Sequence, residues 1–283
     1  MSFRFFAMDT FFTSSLGTYE FDVQCEMLKE LGYDGIHVAL LSEVQWRVLP
    51  RLPEAKARHG LDVVAVYATL DITERESNQS NRRVLTMVET VEGCNSVELG
   101  LRAGDVGLKS SDPRGDDIAI PWLERILTVA DRRNLDVNLY PHTRFWMERI
   151  EDATRLCSRI DHPRLGLVFC GYHWFVTDGK NLGRNLQEAA SFLRSVNLCG
   201  CTMLQVAAPG SFPATVELVN EGELDNFRVL ARLRELGYSG VVGVQGYSVG
   251  GDAYSNLKQS IEALRSMERR LREHPNWGRF TSE

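Results

Sequence analysis

The residues best equipped for chemistry stand at the ends of short apolar runs. The clearest run is Arg164-Leu-Gly-Leu-Val-Phe-Cys170-Gly-Tyr-His173. It reads as a buried strand that stops at a thiol, with an imidazole three residues on. Asp136–Tyr140 is a similar run and leads to His142. Two histidines at successive strand ends are the residue type that exchanges protons near neutral pH. Glu98, in the run Val97–Leu101, can supply a carboxylate base, and Arg102 follows it. His142, His173 and Glu98 are therefore the candidate catalytic residues.

Each candidate also has a plainer role. Cys170 reads first as a small buried thiol and second as a nucleophile. Glu98 pairs with Arg102 as a structural ion pair or acts as a general base. Trp146 and Trp174 follow the His142 and Cys170 runs; they cover helix tops or form a wall on which a sugar ring stacks. Cys199 and Cys201 share one strand face and read as packing.

These groups converge only if the runs are parallel strands. Eight strand-like runs are spaced along the chain: 3–8, 35–40, 61–70, 97–101, 136–140, 164–170, 198–206 and 241–245. Helical periodicity follows each: 21–31, 43–59 with a break at Pro50 and Pro53, 81–92, 118–133, 150–160, 182–196, 224–233 and 257–271. This alternation predicts an α/β fold, a single (β/α)8 barrel over 1–273 with an irregular tail over 274–283. A doubly wound sheet is the rival, but no glycine-rich phosphate turn follows the first strand. The loop 105–117, rich in Gly, Ser and Asp, is long for a connection and so a candidate functional loop.

Strand side chains alternate in direction. Placing the aliphatic set outward leaves Asp9, His37, Glu98, Arg102, Tyr140, His142, Cys170, His173, Gln205, Gln245 and Tyr247 at the C-terminal ends. A barrel enzyme keeps its active site at that end.

Composition narrows the classes. The 283 residues carry a net charge of −6, with 43% hydrophobic and 25% charged residues, so no basic face for nucleic acid is expected. Six scattered cysteines without a C-x-x-C pair, and an N-terminus without a basic start and long apolar core, point to a reducing cytoplasm and no membrane segment. A homo-oligomer is compatible with this surface.

The chain resembles the xylose-isomerase-like barrels, which include sugar isomerases and epimerases and the endonuclease IV fold. The resemblance rests on Leu31-Gly-Tyr-Asp-Gly-Ile36, Asp136–His142, Leu165–His173 and Tyr238–Tyr247, and it covers nearly the whole chain. It implies a ligand of the sugar, polyol or sugar-acid kind at the barrel mouth, contacted by His37, Arg102, Tyr140, Trp146, Cys170, Trp174, Gln205, Gln245 and Tyr247. In such barrels a divalent metal is typically held by Glu, Asp, His or Asp, and Glu on strands five to eight. Here those positions fall on Tyr140, Cys170, near Gln205, and Gln245. The resemblance therefore implies a lost metal site and no cofactor. A relocated zinc site from His142, His173 and Cys170 is chemically allowed but matches no zinc spacing. Two readings stay open: an isomerase or epimerase with unusual acid–base residues, and a non-catalytic carbohydrate-binding descendant. The nuclease branch needs a His/Asp/Glu cluster and a DNA-binding surface that this sequence lacks.

Overall fold

The computed structural model describes residues 2–104, 107–206 and 211–279. Eight parallel strands close into a barrel: β1 Arg4–Met8, β2 Gly35–Ala39, β3 Asp62–Asp71, β4 Ser96–Arg102, β5 Asp136–Leu139, β6 Leu165–Cys170, β7 Leu193–Leu198 and β8 Val241–Val244. Each pairs with the next in sequence, and β8 closes on β1, with Phe6 beside Gly243. The surrounding helices are α1 Phe21–Leu31, α2 Leu52–His59, α3 Gln79–Thr90, α4 Asp116–Arg133, α5 Ile150–Ile160, α6 Leu182–Ala189, α7 Asn226–Glu235 and α8 Ala253–Glu273. No described helix is long and apolar enough to cross a membrane.

The barrel forms because its strands carry aliphatic residues toward the helices and mixed residues inward. Val97, Leu99 and Leu101 of β4 and Val137 and Leu139 of β5 are fully buried against the helical layer. Large and small residues alternate inside. A Cβ on Gly243 would meet the Phe6 ring at 2.2 Å, and one on Gly100 would meet the Tyr67 phenol oxygen at 2.6 Å. Glycine at these two sites lets the larger side chains cross the interior.

Several elements differ from the expected ones. The expected helix 182–196 ends at Ala189, and strand seven is Leu193–Leu198 rather than 198–206. Leu193 and Val196 fit the helical spacing of the preceding turns, but barrel closure needs a strand between β6 and β8. Ser195 and Asn197, inconspicuous in sequence, thereby become interior residues. The expected helix 43–59 resolves into Glu43–Trp46, a 3₁₀ turn Leu49–Arg51 and α2, as the two prolines require. The loop 105–117 contains Asp105 and Val106, outside the described residues; its later part forms a 3₁₀ turn, Pro113–Gly115, leading into α4. The tail carries a 3₁₀ turn at Pro275–Gly278, with Gly278 packed on Ala231, and residues 280–283 lie outside the described part.

Candidate functional site at the barrel mouth

A cavity of about 260 Å³ opens at the C-terminal end of the strands. Its floor is Met8, Ala39, Tyr67, Tyr140 and Gln245. His142, Phe145, Tyr172 and His173, from the segments after β5 and β6, form one side. Phe212, Val216 and Tyr247 form another. Among the described residues, none that lines it is acidic, lysine or arginine.

The two histidines sit in one stack. His142 lies between Phe145, with ring centroids 4.0 Å apart, and His173, at 3.9 Å. Local chain geometry explains why they meet. Cys170 is the last residue of β6 and the N-cap of a short helix, Gly171–Thr177, which carries His173 in its first turn. His142 sits in a turn closed by His142 N–H donating to the Met147 carbonyl at 3.0 Å.

Thr143 sets both tautomers. His142 Nδ1 is 2.7 Å from the Thr143 carbonyl oxygen, which can only accept, so Nδ1 carries the proton. The Thr143 N–H donates to His173 Nδ1 at 3.3 Å, so that nitrogen is bare and the neutral ring carries its proton on Nε2. One neutral imidazole thus keeps a lone pair on Nε2 and the other an Nε2–H. Among the described residues neither Nε2 has a hydrogen-bond partner.

Burial holds both rings neutral. His142 is pushed down to about 4, first by desolvation and then by Arg102 and Arg144, against the opposing hydrogen bond to Thr143. His173 is lowered well below the usual histidine range by desolvation and by His142. The linkage sign follows. His142 protonates near 6.5 when unfolded but only near 4 when folded, so stability is full above 6.5 and is lost as pH falls toward 4. Allowing for the partial exposure of the ring, wild type is expected to lose roughly 1–2 kcal/mol relative to His142→Phe between pH 7 and pH 5. Urea unfolding at the two pH values measures this; parallel stability curves would sink the assignment.

Five neutral residues cluster at and beneath the floor: Gln245, Cys199, Cys170, Asn197 and Tyr140. Gln245 Nε2 is 3.5 Å from Cys199 Sγ and 3.9 Å from Cys170 Sγ. Asn197 Nδ2 donates to the Tyr140 hydroxyl at 3.1 Å. Burial pushes the Cys170 thiol up to about 11 and raises Cys199 and Tyr140 well above their ordinary values. All three keep their protons at neutral pH. Among the described residues no group of three or more His, Cys, Asp or Glu side chains is arranged to hold a metal ion.

The structure brings together His142, His173, Tyr140, Gln245 and Tyr247, and places the other sequence candidates elsewhere. Gln205 is exposed in the loop after β7, because the strand ends seven residues earlier; Cys199 takes the strand-seven position beside Gln245. Glu98 and His37 face inward but lie one layer below the cavity. His37 Nε2 is 2.8 Å from Glu98 Oε2, and Ser195 Oγ donates to Glu98 Oε1 at 2.8 Å. Glu98 is 1% exposed and His37 is fully buried, so neither reaches a ligand in the cavity. The expected Glu98–Arg102 pair does not form: Arg102 is exposed, with its guanidinium over the Phe145 ring at 5.4 Å. Asp9 is buried below the rim, accepts from the Ala39 N–H at 3.0 Å, and is raised by desolvation to about 7.

The two tryptophans face away from the cavity. Trp146 donates its indole N–H to the Asp112 carbonyl at 2.8 Å and is wrapped by the loop before α4. Trp174 donates to Asn185 Oδ1 at 3.1 Å, on α6. Cys170 lines a small crevice behind His173 instead of the cavity itself. The aromatic wall comes from Tyr67, Phe145, Tyr172 and Phe212, which sequence reading missed. For Tyr67 a signal existed, since alternation along β3 turns it inward beside Ala65. Phe212 reaches the mouth through the long excursion after β7, which no periodicity marks.

A closed (β/α)8 barrel with its cavity at the C-terminal mouth is a class of fold that hosts many chemistries. The sequence narrows the class: residues 25–268 match the family described as xylose isomerase-like TIM barrel, and the chain belongs to that family. No curated protein matches the sequence. Among solved structures, an L-ribulose 3-epimerase superposes with a TM-score of 0.75 at 14% identity, covering 100% of both chains. The IolI protein, solved with a zinc atom, gives 0.75 at 15% identity, covering 93% of this chain and 97% of its own. A 3-keto-D-glucoside 4-epimerase from E. coli gives 0.71 at 17% identity, covering 94% and 100%. At these identities the likeness establishes the fold.

Proposed function

We propose that the barrel mouth binds an uncharged sugar or polyol without a metal ion. The observation that carries this reading is the composition of the mouth: aromatic and neutral polar side chains, with no acidic, lysine or arginine residue among the described lining. Flat apolar faces with a few hydrogen-bonding groups suit the ring faces and hydroxyls of a sugar. Arg102 and Arg144 stand behind the Phe145 and Phe212 rings, so no described lining residue itself offers a cation to a sugar acid or phosphate. The family and its solved relatives, two of them named as epimerases of sugar substrates, support the ligand class.

The donor set speaks against a divalent cation. Mg²⁺ and Mn²⁺ take hard, mostly anionic oxygens. The four inward residues at the relevant strand ends are a phenol, two thiols and an amide, and burial keeps the first three protonated. The soft alternative is no better supported, since the histidine stack leaves Cys170 behind His173 in a separate crevice. These residues do not fit the family's metal.

The opposed tautomers favour a second reading, proton transfer between ligand atoms by His142 Nε2 and His173 Nε2–H. With the ring pushed down to about 4, His142 Nε2 is unprotonated at neutral pH and free to accept; we take binding as the first reading and turnover as the second. Calorimetric titration of sugars and inositols, with EDTA and with added Mn²⁺, tests both. Binding is expected to be unaffected by EDTA, with Kd changed less than about twofold by metal. Metal-dependent binding would overturn the proposal. Ligand C–H exchange in D₂O, followed by NMR, would bring the second reading forward.

A further inference from the structure

The mouth cavity adjoins a second, larger depression. Thr10, Leu41 and Tyr247 line both, and the outer one has a volume of about 670 Å³. Its far walls are the small ribbon Thr13–Thr18, Ser42 and Gln45 after β2, and the loop after β8 through Ser248, Gly250 and Gly251. We propose that this groove is a second subsite, which takes the hydroxylated, uncharged second ring of a disaccharide or glycoside whose first ring occupies the mouth cavity. The proposal rests on the reading that the cavity binds a sugar.

Size points to a two-part ligand. The inner cavity, at about 260 Å³, falls below the ~300–1,000 Å³ usual for small-molecule sites, while the groove beside it lies inside that range. A ligand confined to the inner cavity would leave the larger space unused.

The chemistry of the two spaces differs in a way that suits a glycoside. The inner space is mostly aromatic. The groove is lined by hydroxyls and one amide together with Leu16 and Leu41, again with no charged side chain among the described lining residues. Several of these groups are held by local hydrogen bonds. Thr10 Oγ1 accepts from the Gly246 N–H at 3.1 Å, Ser14 Oγ accepts from the Leu16 N–H at 3.1 Å, and the Thr13 and Thr18 hydroxyls are 3.1 Å apart. Ser42 bonds Gln45. Such anchored hydroxyls retain lone pairs or protons for the hydroxyls of a ligand. Among the described lining residues there is no lysine or arginine to pair with a phosphate or carboxylate, which favours an uncharged second group.

Backbone geometry supports a built groove. Ser248 has φ +61°, a costly conformation for a residue with a side chain, and Gly250 and Gly251 follow at +71° and +73°. These three residues shape the loop after β8 where it lines the groove. Tyr247 stands at the boundary, 45% exposed, and offers a ring face to either moiety.

Calorimetric titration of the full chain with D-glucose and myo-inositol against maltose, cellobiose and sucrose tests the proposal. At least one disaccharide is expected to bind about tenfold or more tightly than the single rings. Ser15→Trp, an exposed ribbon residue on the groove wall, is expected to bring that ratio to within about twofold. Equal affinity for one and two rings, or a two-ring preference that survives Ser15→Trp, would overturn the second subsite and leave the sugar reading intact. No binding by a sugar of either length would overturn the sugar reading, and the subsite with it.

Discussion

Replacing Glu98 by Leu is expected to destabilise the protein by about 3–5 kcal/mol, the cost of removing one partner of a buried pair. Glu98 accepts from His37 on one carboxylate oxygen and from Ser195 on the other. His37 already leaves Nδ1 without a partner inside the barrel. Losing Glu98 would leave both its ring nitrogens and the Ser195 hydroxyl without protein partners in the buried barrel interior, each at a cost of roughly 1–3 kcal/mol before relaxation. Since a kcal/mol corresponds to a few degrees in a chain of this size, the melting temperature should fall by on the order of 10 °C. Glu98→Gln keeps the shape and one acceptor, so a smaller loss of about 1–2 kcal/mol is expected. Calorimetry and ligand titration together decide the role. If Glu98→Gln stays folded but loses ligand binding, Glu98 belongs to the site after all, and the two-layer arrangement described above is wrong.

Gln245→Glu supplies the carboxylate that the resemblance implies at this strand end, and it is expected to weaken the protein, with no rescue by metal. The side chain is 7% exposed, and its amide nitrogen is directed at two thiols. A carboxyl there loses those donor contacts and has no cation beside it. Desolvation would raise its folded pKa above the unfolded value near 4.3. An acid raised in this way stays protonated in the native state after the unfolded state has ionised. Stability therefore falls as pH rises above about 4.3, by about 1.4 kcal/mol per unit until the folded pKa is reached. A two-unit shift would cost roughly 3 kcal/mol at pH 7. Added Mn²⁺ should not recover it, because the phenol of Tyr140 and the thiols of Cys170 and Cys199 are poor ligands for a hard cation. A metal-dependent rise in melting temperature, in the variant or in wild type, would show that the neutral donor set does hold a cation.

Much of the architecture was legible from short-range pattern. The barrel followed from alternating β and helical runs, and the inward direction of His37, Glu98, Tyr140, Cys170 and Gln245 followed from strand alternation. Strand seven was not legible, because Leu182, Leu186, Ala189, Leu193 and Val196 hold a helical spacing across a helix end. The chain turns at Ala190–Phe192 with no glycine or proline to mark it. That one misplacement carried Gln205 into the site and left out Cys199 and Ser195.

Alternation reports the direction of a side chain and says nothing of its depth along the barrel axis. Glu98 and Tyr140 both point inward, yet one is sealed beneath the mouth and the other forms its floor. Depth is set by strand stagger and by register, such as Glu98 opposite Asn138 and Cys170 opposite Asn197. The loops add a further uncertainty. Trp146 and Trp174 have the right sequence distance from their strands, but their indole N–H groups are claimed by Asp112 and Asn185. Phe145 and Phe212 face the cavity in their place.

The sequence by itself determined the fold class, the family, and the uncharged residues Tyr140, Cys170 and Gln245 at three strand ends, because residue types and their spacing are local properties. Only the tertiary structure decided which of those residues share a cavity. The pairing of His142 with His173 through the C=O and N–H of Thr143, the separation of Glu98 from the mouth and the aromatic wall all depend on barrel register and loop packing. Those are fixed by contacts between segments tens of residues apart, which no single stretch of sequence contains.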